Sequence, residues 1–485
     1  MNLIKSLEKS ASFWFLLISS FVFFILRWPS LFEPYWYGDE GIYQAVGLLI
    51  RNGAPLYKGA WDNKPPLLYV LYAIFNSDQF LLRTLSLVFG MISIWIFFLL
   101  ANKLFNKFKP AVFISTAFYI FFFGTRIIEG NIANAENFML LPILLSAYLV
   151  VATDFIKQIW IHRFSFLAGF ILSFAFLTKI VAVFDAAAFG AFLFIDPEKS
   201  FKEKLINRLI PFVLGFSIPV LITFGYFFLT NNFHDFLKAS FFSNVSYVGY
   251  ANKFIIPQGL LYLKAVLLIT LFSALFIKRN SIPKHIVFLF LWFSFSLFNA
   301  FFSQRPYTHY VLVLLPSFSL MLGLIIYDKR FRLISSAFLL IAAIVIYTNF
   351  GFHGKLISYY SNIIAYCTGH KNTNSYQSFF DHNTPRDYEI ASYIKSNTNK
   401  KDSIFIWGNN AQVYKLSDKT PIFRYTVAYH ITLYPNAVSE MEKILTEKNP
   451  KLIVIMPNVP DYPLSLNNYS EIFDIKGAKI YERQF

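Results

Sequence analysis

The sequence predicts a polytopic α-helical membrane protein that ends in a soluble α/β domain. Hydrophobic residues make up 56% of the 485 residues and charged residues only 14%, whereas a soluble domain usually has about 25% charged residues. Apolar runs of about 17 residues or more, which are long enough to cross a bilayer as helices, recur as far as residue 350. From about residue 351 onward no such run remains.

The apolar runs predict about eleven transmembrane helices within a membrane domain of residues 1–350. The first run, from Ser12 to Trp28, resembles a signal peptide. No small-x-small cleavage site follows it, so we interpret it as a retained helix. The further spans are expected at residues 80–101, 110–125, 136–153, 164–178, 180–195, 209–229, 258–277, 285–302, 309–327 and 332–350.

Basic residues predict the orientation of these spans. With a cytoplasmic N-terminus, all five short inner loops are basic, as the positive-inside rule requires. Their basic residues are Lys103, Lys107, Lys109, Lys157, Arg163, Lys199, Lys202, Lys204, Arg208, Lys278, Arg279, Lys284, Lys329, Arg330 and Arg332. An odd number of spans then places the C-terminal domain outside, and topology accounts for the net charge of +16 without a nucleic-acid partner.

Residues 351–485 alternate between helical and strand patterns, which predicts an extracytoplasmic α/β domain. A helix is expected from Thr384 to Asn397, with Thr384 as its cap and Pro385 in its first position. Val438–Lys448 is the other expected helix, and the expected strands are Ser403–Trp407 and Lys451–Met456. The domain has no Gly-rich phosphate loop and no triad-like signature. We therefore expect the chemistry elsewhere in the chain.

The first outer loop, residues 29–79, holds the strongest candidates for chemistry. Asp39 and Glu40 open a helical segment that also contains Tyr43. Apolar residues recur there at helical spacing, namely Ile42, Ala45, Val46, Leu49 and Ile50. We expect this helix to lie along the membrane interface with its apolar face in lipid. Carboxylates at a helix start also complement the helix dipole, which is the alternative explanation for both.

The same loop contains Asp62 and then Lys64-Pro65-Pro66. The prolines fix φ and remove two backbone donors, so the chain around Lys64 is stiff. A short apolar helix, Leu67–Phe75, is expected to follow. A lysine held at the membrane surface is well placed to meet a lipid phosphate. Snorkelling to the head groups without any further role is the alternative.

Other polar residues occur in the later outer connections. Glu136 ends the second outer loop, and Lys179 lies between the fifth and sixth spans, where a charge is costly unless it reaches water or a partner. Arg305, His309 and Tyr310 lie at the entry to the tenth span. Arg305 and His309 can both donate to a phosphate, although a histidine at a membrane interface is also simply tolerated.

Together these motifs resemble those of bacterial membrane glycosyltransferases of the GT-C superfamily. The matching residues are Asp39-Glu40 with Tyr43, Asp62-x-Lys64-Pro65-Pro66-Leu67, Thr178-Lys179, and Tyr307-Thr308-His309-Tyr310 with Pro316. More narrowly, the chain looks like the dolichyl-phosphate-mannose protein mannosyltransferase and aminoarabinose transferase group (glycosyltransferase family 39/83-like). The order of the motifs, the topology and the soluble tail match across nearly the whole chain.

The resemblance implies a hexosyl- or pentosyltransferase in the bacterial cytoplasmic membrane. Its donor would be a polyprenyl-phosphate-linked sugar, and its acceptor a lipid, glycan or protein of the cell envelope, as in lipopolysaccharide or glycan biosynthesis. Transfer would occur at the outer face and invert the sugar. No cofactor is expected as the default, although carboxylates at Asp39, Glu40 and Asp62 could hold a divalent metal.

Site roles follow from this resemblance and from the chemistry of transfer. Asp39 would be the general base, with Glu40 supporting its geometry. Lipid phosphate would be bound by Lys64, helped by Lys179, Arg305, His309 and Tyr310. Substrate would be bound by Tyr43, Asp62 and Glu136. The outer loops are expected to bring these residues to the same face of the membrane.

Two other classes of function fit a protein with many spans. A transporter or flippase for lipid-linked sugars usually has polar residues in mid-span and inverted repeats, whereas here the polar residues gather in outer loops. A non-catalytic assembly protein for envelope glycans would need neither Asp39 nor Lys64. Substitution of these two residues distinguishes the enzyme from both alternatives.

Overall fold

The computed structural model describes residues 11–155, 157–196, 199–245, 248, 252–352 and 354–484. The chain forms two compact units, and each is assembled from three separate stretches. Unit 1 comprises Met1–Ser30, Arg83–Thr230 and Phe242–Leu356. Unit 2 comprises Leu31–Leu82, Asn231–Phe241 and Ile357–Phe485. The C-terminal tail and the first outer loop thus belong to the same unit.

Unit 1 is a bundle of apolar helices. Its α-helices are Ala11–Arg27, Gln79–Leu104, Lys109–Gly124, Ala135–Ala152, Gln158–Thr178, Val183–Ile195, Ile210–Leu229, Gly259–Lys278, Lys284–Ala300, Leu315–Tyr327 and Arg332–Asn349. Short 3₁₀ segments precede or join them at Trp28–Phe32, Arg126–Ile128, Ile180–Ala182 and Thr308–Val313. A π-helical segment, Glu203–Leu209, leads into the Ile210–Leu229 helix.

Each expected span coincides with an apolar helix of this bundle. Among the described residues, seven helices are long and apolar enough to cross a membrane. Four further helices, of 10 to 17 residues, are apolar but shorter, namely Lys109–Gly124, Ile180–Ile195, Lys284–Ala300 and Leu315–Tyr327. The chain is therefore a multi-pass membrane protein, and the number of about eleven crossings stays a prediction.

The tenth span differs from its prediction of a continuous helix over 309–327. Thr308–Val313 is a 3₁₀ helix, and the α-helix begins only at Leu315. Pro316 lies in the first turn of that helix. Proline has no backbone N–H and is best accommodated in a first turn, so the α-helix starts there.

Glycines allow two helices of unit 1 to pack closely. Gly169 on the Gln158–Thr178 helix lies against the carbonyl of Phe212, and Gly215 lies against the carbonyl of Phe166 on the opposite helix. A Cβ at either glycine would overlap that carbonyl. Small residues at such contacts let helix backbones approach closely in a membrane.

Unit 2 contains a sheet of four strands in the order β1-β2-β4-β3. The strands are β1 (Ile404–Trp407), β2 (Leu452–Ile455), β3 (Tyr469–Ile475) and β4 (Ala478–Arg483). β1 and β2 are parallel with Ile404 opposite Leu452, whereas β4 is antiparallel to both β2 and β3. The α/β character predicted for the tail is confirmed, and β3 and β4 are strands that the sequence analysis did not predict.

Unit 2 also contains helices, and two of them, Gly38–Arg51 and Pro66–Ile74, lie in the first outer loop. The helices of unit 2 are Gly38–Arg51, Pro66–Ile74, Phe233–Leu237, Leu356–Cys367, Thr373–Ser378, Thr384–Asn397, Gln412–Leu416, Ala428–Leu433 and Ala437–Lys448, with a π segment at Lys238–Phe242. The prediction that Thr384 caps its helix is wrong. Asn383 takes the cap position, and Thr384 is already helical.

The apolar face of the Gly38–Arg51 helix is not available to lipid, so this part of the prediction is wrong. Ile42, Ala45, Val46 and Leu49 are all buried by protein. Gly41 lies close to Gln412, where a Cβ would be 2.8 Å from the side-chain oxygen of that glutamine. The tail therefore covers part of the surface that the amphipathic pattern had suggested was free. The Pro66–Ile74 helix does expose apolar side chains, and Ile74 is 63% exposed.

Candidate active site

The predicted site residues fall into two groups, one in each unit. Unit 2 contains Asp39, Glu40, Tyr43, Asp62 and Lys64, and unit 1 contains Glu136, Lys179, Arg305, His309 and Tyr310.

In unit 2, Tyr43 contacts both of the residues to which the sequence analysis assigns chemistry. Its hydroxyl lies 3.4 Å from Oδ2 of Asp39, one helical turn earlier. The ammonium of Lys64 lies over its ring, 5.2 Å from the centroid. Tyr43 itself is fully buried and packs edge-on against Tyr69 and Tyr72. A carboxylate and an ammonium are thus positioned by one rigid aromatic side chain.

Asp39 and Glu40 are adjacent but differ in accessibility. Both lie in the first turn of the Gly38–Arg51 helix, where the helix dipole stabilises negative charge. Asp39 is partly exposed, whereas Glu40 is only 1% exposed. Of the two carboxylates, only Asp39 can be reached by a substrate hydroxyl without rearrangement of the chain.

The main chain of Lys64 is fixed on both sides by buried tyrosines. Its N–H donates to the hydroxyl of Tyr69 at 3.0 Å, and its carbonyl accepts from the hydroxyl of Tyr57 at 2.8 Å. Ser240 in turn donates to the Tyr57 hydroxyl at 3.0 Å. Burial raises the pKa of both tyrosines well above its ordinary value, so both remain neutral donors. The main chain at residue 64 is therefore fixed in position, whichever conformation its side chain adopts.

Asp62 is buried beneath Lys64. Its Oδ2 accepts from the Tyr69 hydroxyl at 2.7 Å and lies 4.0 Å from the Lys64 ammonium. Its Oδ1 lies 3.9 Å from Nε2 of His430. With only 2% of its surface exposed, Asp62 contacts the lysine and its supporting tyrosine. Its predicted role in binding substrate stays a prediction.

His430 makes unit 2 sensitive to acid. Burial lowers the pKa of this histidine from 6.5 to about 4, because the charged form loses its hydration. His430 is therefore neutral in the folded protein but becomes charged below about pH 6.5 once unfolded. Stability that is fully present above that pH is lost as the pH falls toward 4, by about 3 kcal/mol.

We expect the His430→Phe variant to lose less stability than the wild type between pH 7 and pH 4, because it has no proton to gain on unfolding. Thermal unfolding of the purified protein in detergent, followed at several pH values, measures the difference. His382→Phe is the matched control, since His382 is exposed. Equal acid sensitivity of the wild type and the His430→Phe variant would contradict this role of burial.

In unit 1, Lys179 is paired rather than left unpartnered between two spans. Its ammonium forms an ion pair with Oε1 of Glu136 and lies over the ring of Tyr310, 4.2 Å from the centroid. Lys179 is extended (φ −156°, ψ 128°) and ends the Gln158–Thr178 helix. Glu136 lies in the first turn of the Ala135–Ala152 helix and is 1% exposed. This pairing removes the cost of the charge that the sequence analysis noted.

His309 joins this pair to a second carboxylate. Its Nε2 lies 4.0 Å from Oε1 of Glu136, and its Nδ1 is 2.7 Å from Oε2 of Glu129. The other oxygen of Glu129 accepts from the Thr308 hydroxyl at 2.8 Å. Glu129 has a φ of +59°, an uncommon conformation for a residue other than glycine, asparagine or aspartate. Both oxygens of its carboxylate thus contact residues of the 3₁₀ segment.

The structure therefore brings Glu136, Lys179, His309 and Tyr310 together within unit 1. Arg305 is half-buried in the segment that precedes the 3₁₀ helix, and its predicted contact with phosphate stays a prediction. No group of three or more potential metal ligands is found among the described residues, and the need for a metal is likewise a matter for experiment.

Several residues that support these groups could not be identified from the sequence. Glu129 lies in the second outer loop, where nothing in the sequence indicates that it contacts His309. No feature of the sequence indicated a supporting role for Tyr57, Tyr69 or His430. Tyr69 follows Lys64 by only five residues, so a helix that starts at Pro66 could have suggested that its side chain reaches back.

Comparisons with known proteins agree with this architecture. Residues 64–223, about a third of the chain, match the family model described as dolichyl-phosphate-mannose-protein mannosyltransferase. No curated protein matches the sequence. Among solved structures, ArnT from Cupriavidus metallidurans bound to undecaprenyl phosphate is 12% identical with a TM-score of 0.56, covering 97% of this chain and 98% of ArnT.

Two further structures extend the comparison. The apo state of the same ArnT gives a TM-score of 0.54 at 13% identity, with 97% and 98% of the two chains covered. The archaeal oligosaccharyltransferase AglB from Archaeoglobus fulgidus, in complex with an inhibitory peptide and a dolichol-phosphate, gives 0.50 at 14% identity, with 92% of this chain and 69% of AglB covered. At such identities the likeness shows the fold.

The resemblance stated from the sequence is therefore confirmed: this chain is similar in sequence, over residues 64–223, to the dolichyl-phosphate-mannose-protein mannosyltransferases, and in fold, along nearly its whole length, to ArnT and AglB.

Proposed function

We propose that the protein transfers a sugar from a polyprenyl-phosphate donor to an acceptor of the bacterial cell envelope, at the outer face of the cytoplasmic membrane. The observation that carries the proposal is the contact of Tyr43 with both Asp39 and Lys64. Sugar transfer from a lipid phosphate needs one group that accepts a proton and another that stabilises the departing phosphate. The two neighbours of Tyr43 have these chemical properties.

Asp39 acts as the general base in this mechanism. Its carboxylate takes the proton of an acceptor hydroxyl while the hydroxyl oxygen forms a bond to the anomeric carbon of the sugar. The bond between that carbon and the phosphate oxygen breaks in the same displacement. Attack and departure occur on opposite faces, so the configuration at the anomeric carbon inverts. Glu40, which is buried beside Asp39, supports the geometry of the helix start.

Lys64 stabilises the leaving group. As the bond to the sugar breaks, the polyprenyl phosphate gains a further negative charge, and a cation placed in advance lowers the energy of that state. The main-chain bonds to Tyr57 and Tyr69 keep residue 64 in position before substrate arrives. Such preorganisation avoids the energetic cost of ordering a flexible lysine during the reaction.

The group in unit 1 supports the same reaction class through a second set of cations. Lys179 and His309 are held by Glu136 and Glu129, and we assign them, with Arg305 and Tyr310, to binding of the phosphorylated lipid. ArnT was solved with undecaprenyl phosphate and AglB with a dolichol-phosphate. These ligands support a polyprenyl phosphate as the carrier in this chain too. We propose that the reaction needs no metal.

Analysis of a deletion strain tests the function directly. We expect one class of surface glycan to lose a sugar, and the corresponding polyprenyl-phosphate sugar to accumulate, when both are measured by mass spectrometry. NMR then compares the anomeric configuration of the sugar in the product with that in the donor, which establishes whether the configuration is inverted. The flippase alternative predicts a different result, because the missing transfer would be restored in detergent-solubilised membranes, where no lipid has to cross.

A further inference from the structure

Unit 1 has a cavity at the end of the bundle where the predicted basic loops meet. The cavity has a volume of about 140 Å³ and is lined by the ends of four helices, through residues that include Lys103, Val151, Phe192 and Lys284, and by Asp154. A single water needs only roughly 10–15 Å³, so the space takes a larger group. Glu136 lies at the opposite end of one of these helices, Ala135–Ala152.

Among the residues that the structure describes, the charges around the cavity do not cancel. Arg208 is 1% exposed and pairs with Asp154 at 3.0 Å and with Asp196 at 3.3 Å. Lys284 also pairs with Asp196, at 3.1 Å. Each of the two carboxylates thus already has a cationic partner, and a further cation at this site is in excess among the described residues.

Lys103 is that further cation. Its ammonium lies over the rings of Phe155 and Tyr148, at 4.7 and 5.4 Å from their centroids. Within the described part of the chain it has no carboxylate partner. His285 also lines the cavity, and its Nε2 is buried without a hydrogen-bond partner among the described residues. The cavity thus offers donors for which an anion is the complementary ligand.

The walls indicate what kind of anion this is. Leu104, Val151, Phe192 and Phe288 give the cavity an apolar lining, and Phe155 at its rim is 59% exposed. An anion with an apolar body satisfies both the excess cation and this lining, whereas a free inorganic anion satisfies only the first. Basic pockets between transmembrane helices are general binding sites for anionic lipid head groups.

We propose that this cavity binds the phosphate head group of an anionic phospholipid, with Lys103 as its principal ligand. The site is separate from the residues to which we assign sugar transfer, and it does not rest on that function. Bound lipid would neutralise the excess charge and bridge the ends of four helices. It would therefore stabilise unit 1.

The experiment uses the full-length protein, purified in detergent and stripped of lipid, with phosphatidylglycerol, phosphatidylcholine or inorganic phosphate added. Native mass spectrometry measures bound lipid, and thermal unfolding measures stabilisation. We expect phosphatidylglycerol to bind and stabilise more strongly than phosphatidylcholine. Lys103→Gln should weaken binding of phosphatidylglycerol about fivefold, the effect of one basic residue near a lipid surface.

Two variants serve as controls. Lys109→Gln removes an exposed lysine of the same loop that does not line the cavity, and it should bind as the wild type does. Lys103→Arg retains the charge and should also bind, which separates loss of charge from misfolding. Equal binding of both lipids, or undiminished binding by Lys103→Gln, would overturn the proposal. Stabilisation by inorganic phosphate equal to that by phosphatidylglycerol would overturn the assignment to a lipid.

Discussion

Replacement of Asp39 by asparagine is expected to lower the rate of sugar transfer by about 10²–10⁴-fold, the usual contribution of a general base. Asparagine has nearly the same shape as aspartate and can still accept from the Tyr43 hydroxyl, so the helix start should remain intact. It cannot take a proton from the acceptor. The variant should therefore insert and purify like the wild type and still bind its donor.

Membranes of the deletion strain provide the assay, because they contain both the accumulated donor and the acceptor. Purified variants are added to them, and the initial rate of product formation is measured by mass spectrometry. Asp418→Asn is the matched control, since Asp418 is 73% exposed in its side chain and pairs only with Lys395 among the described ion pairs. An unchanged rate for Asp39→Asn would refute the assignment of the base.

The variant Glu40→Gln tests which of the two adjacent carboxylates is the catalytic one. Adjacency in sequence could not assign one of them to catalysis, but accessibility can, because Glu40 is 1% exposed and Asp39 is partly open. A buried carboxylate at a helix start acts mainly through the stability of the helix. We therefore expect Glu40→Gln to lower thermal stability more than it lowers the rate per folded molecule.

The parts of the fold that local physics determines could be predicted from the sequence. A helix that crosses a membrane must be apolar along its length, so hydropathy alone located the helices of unit 1. Proline marks helix starts because its missing N–H costs nothing there, and the helix predicted at Leu67 indeed begins with Pro66 at its first position. Similarly, Gly53, with a φ of +89°, follows the end of the Gly38–Arg51 helix.

The β3–β4 hairpin could not be predicted in the same way. β3 is an edge strand that is mostly exposed, so it lacks the alternation of apolar and polar residues on which strand prediction depends. Its turn consists of Lys476 and Gly477, both with positive φ. This geometry fits a type I′ turn, for which Asn-Gly is the usual signal rather than Lys-Gly.

In the candidate site too, features encoded by neighbouring residues could be predicted, whereas contacts with residues far along the chain could not. Lys64 could be identified because its rigidity is encoded by the two prolines that follow it. Its supporting partners could not, since Ser240 lies 176 residues away along the chain from the carbonyl of Lys64 that it also approaches. The prediction that the apolar face of the Gly38–Arg51 helix lies in lipid was wrong for a related reason. Hydropathy shows which face avoids water, but not whether lipid or protein covers that face.

Replacement of Lys64 by glutamine is expected to lower the rate of transfer by about 10²–10³-fold, the effect of removing one group that stabilises developing charge. The hydrogen bonds that position residue 64 involve its main chain, so they survive the substitution. Negative charge on the phosphate grows as the bond to the sugar breaks. The loss should therefore appear mainly in kcat, with a smaller change in the KM for the donor.

Three variants distinguish this role from simple snorkelling to the head groups. Lys58→Gln removes an exposed lysine of the same loop and should transfer at the wild-type rate. Lys64→Arg retains the charge and should recover part of the loss, but not all of it, because the guanidinium is larger and the packing over Tyr43 is close. A snorkelling lysine would tolerate glutamine as well as arginine. Equal rates for Lys64→Gln and Lys58→Gln would therefore eliminate Lys64 from the mechanism, since the substitution removes the positive charge from this position.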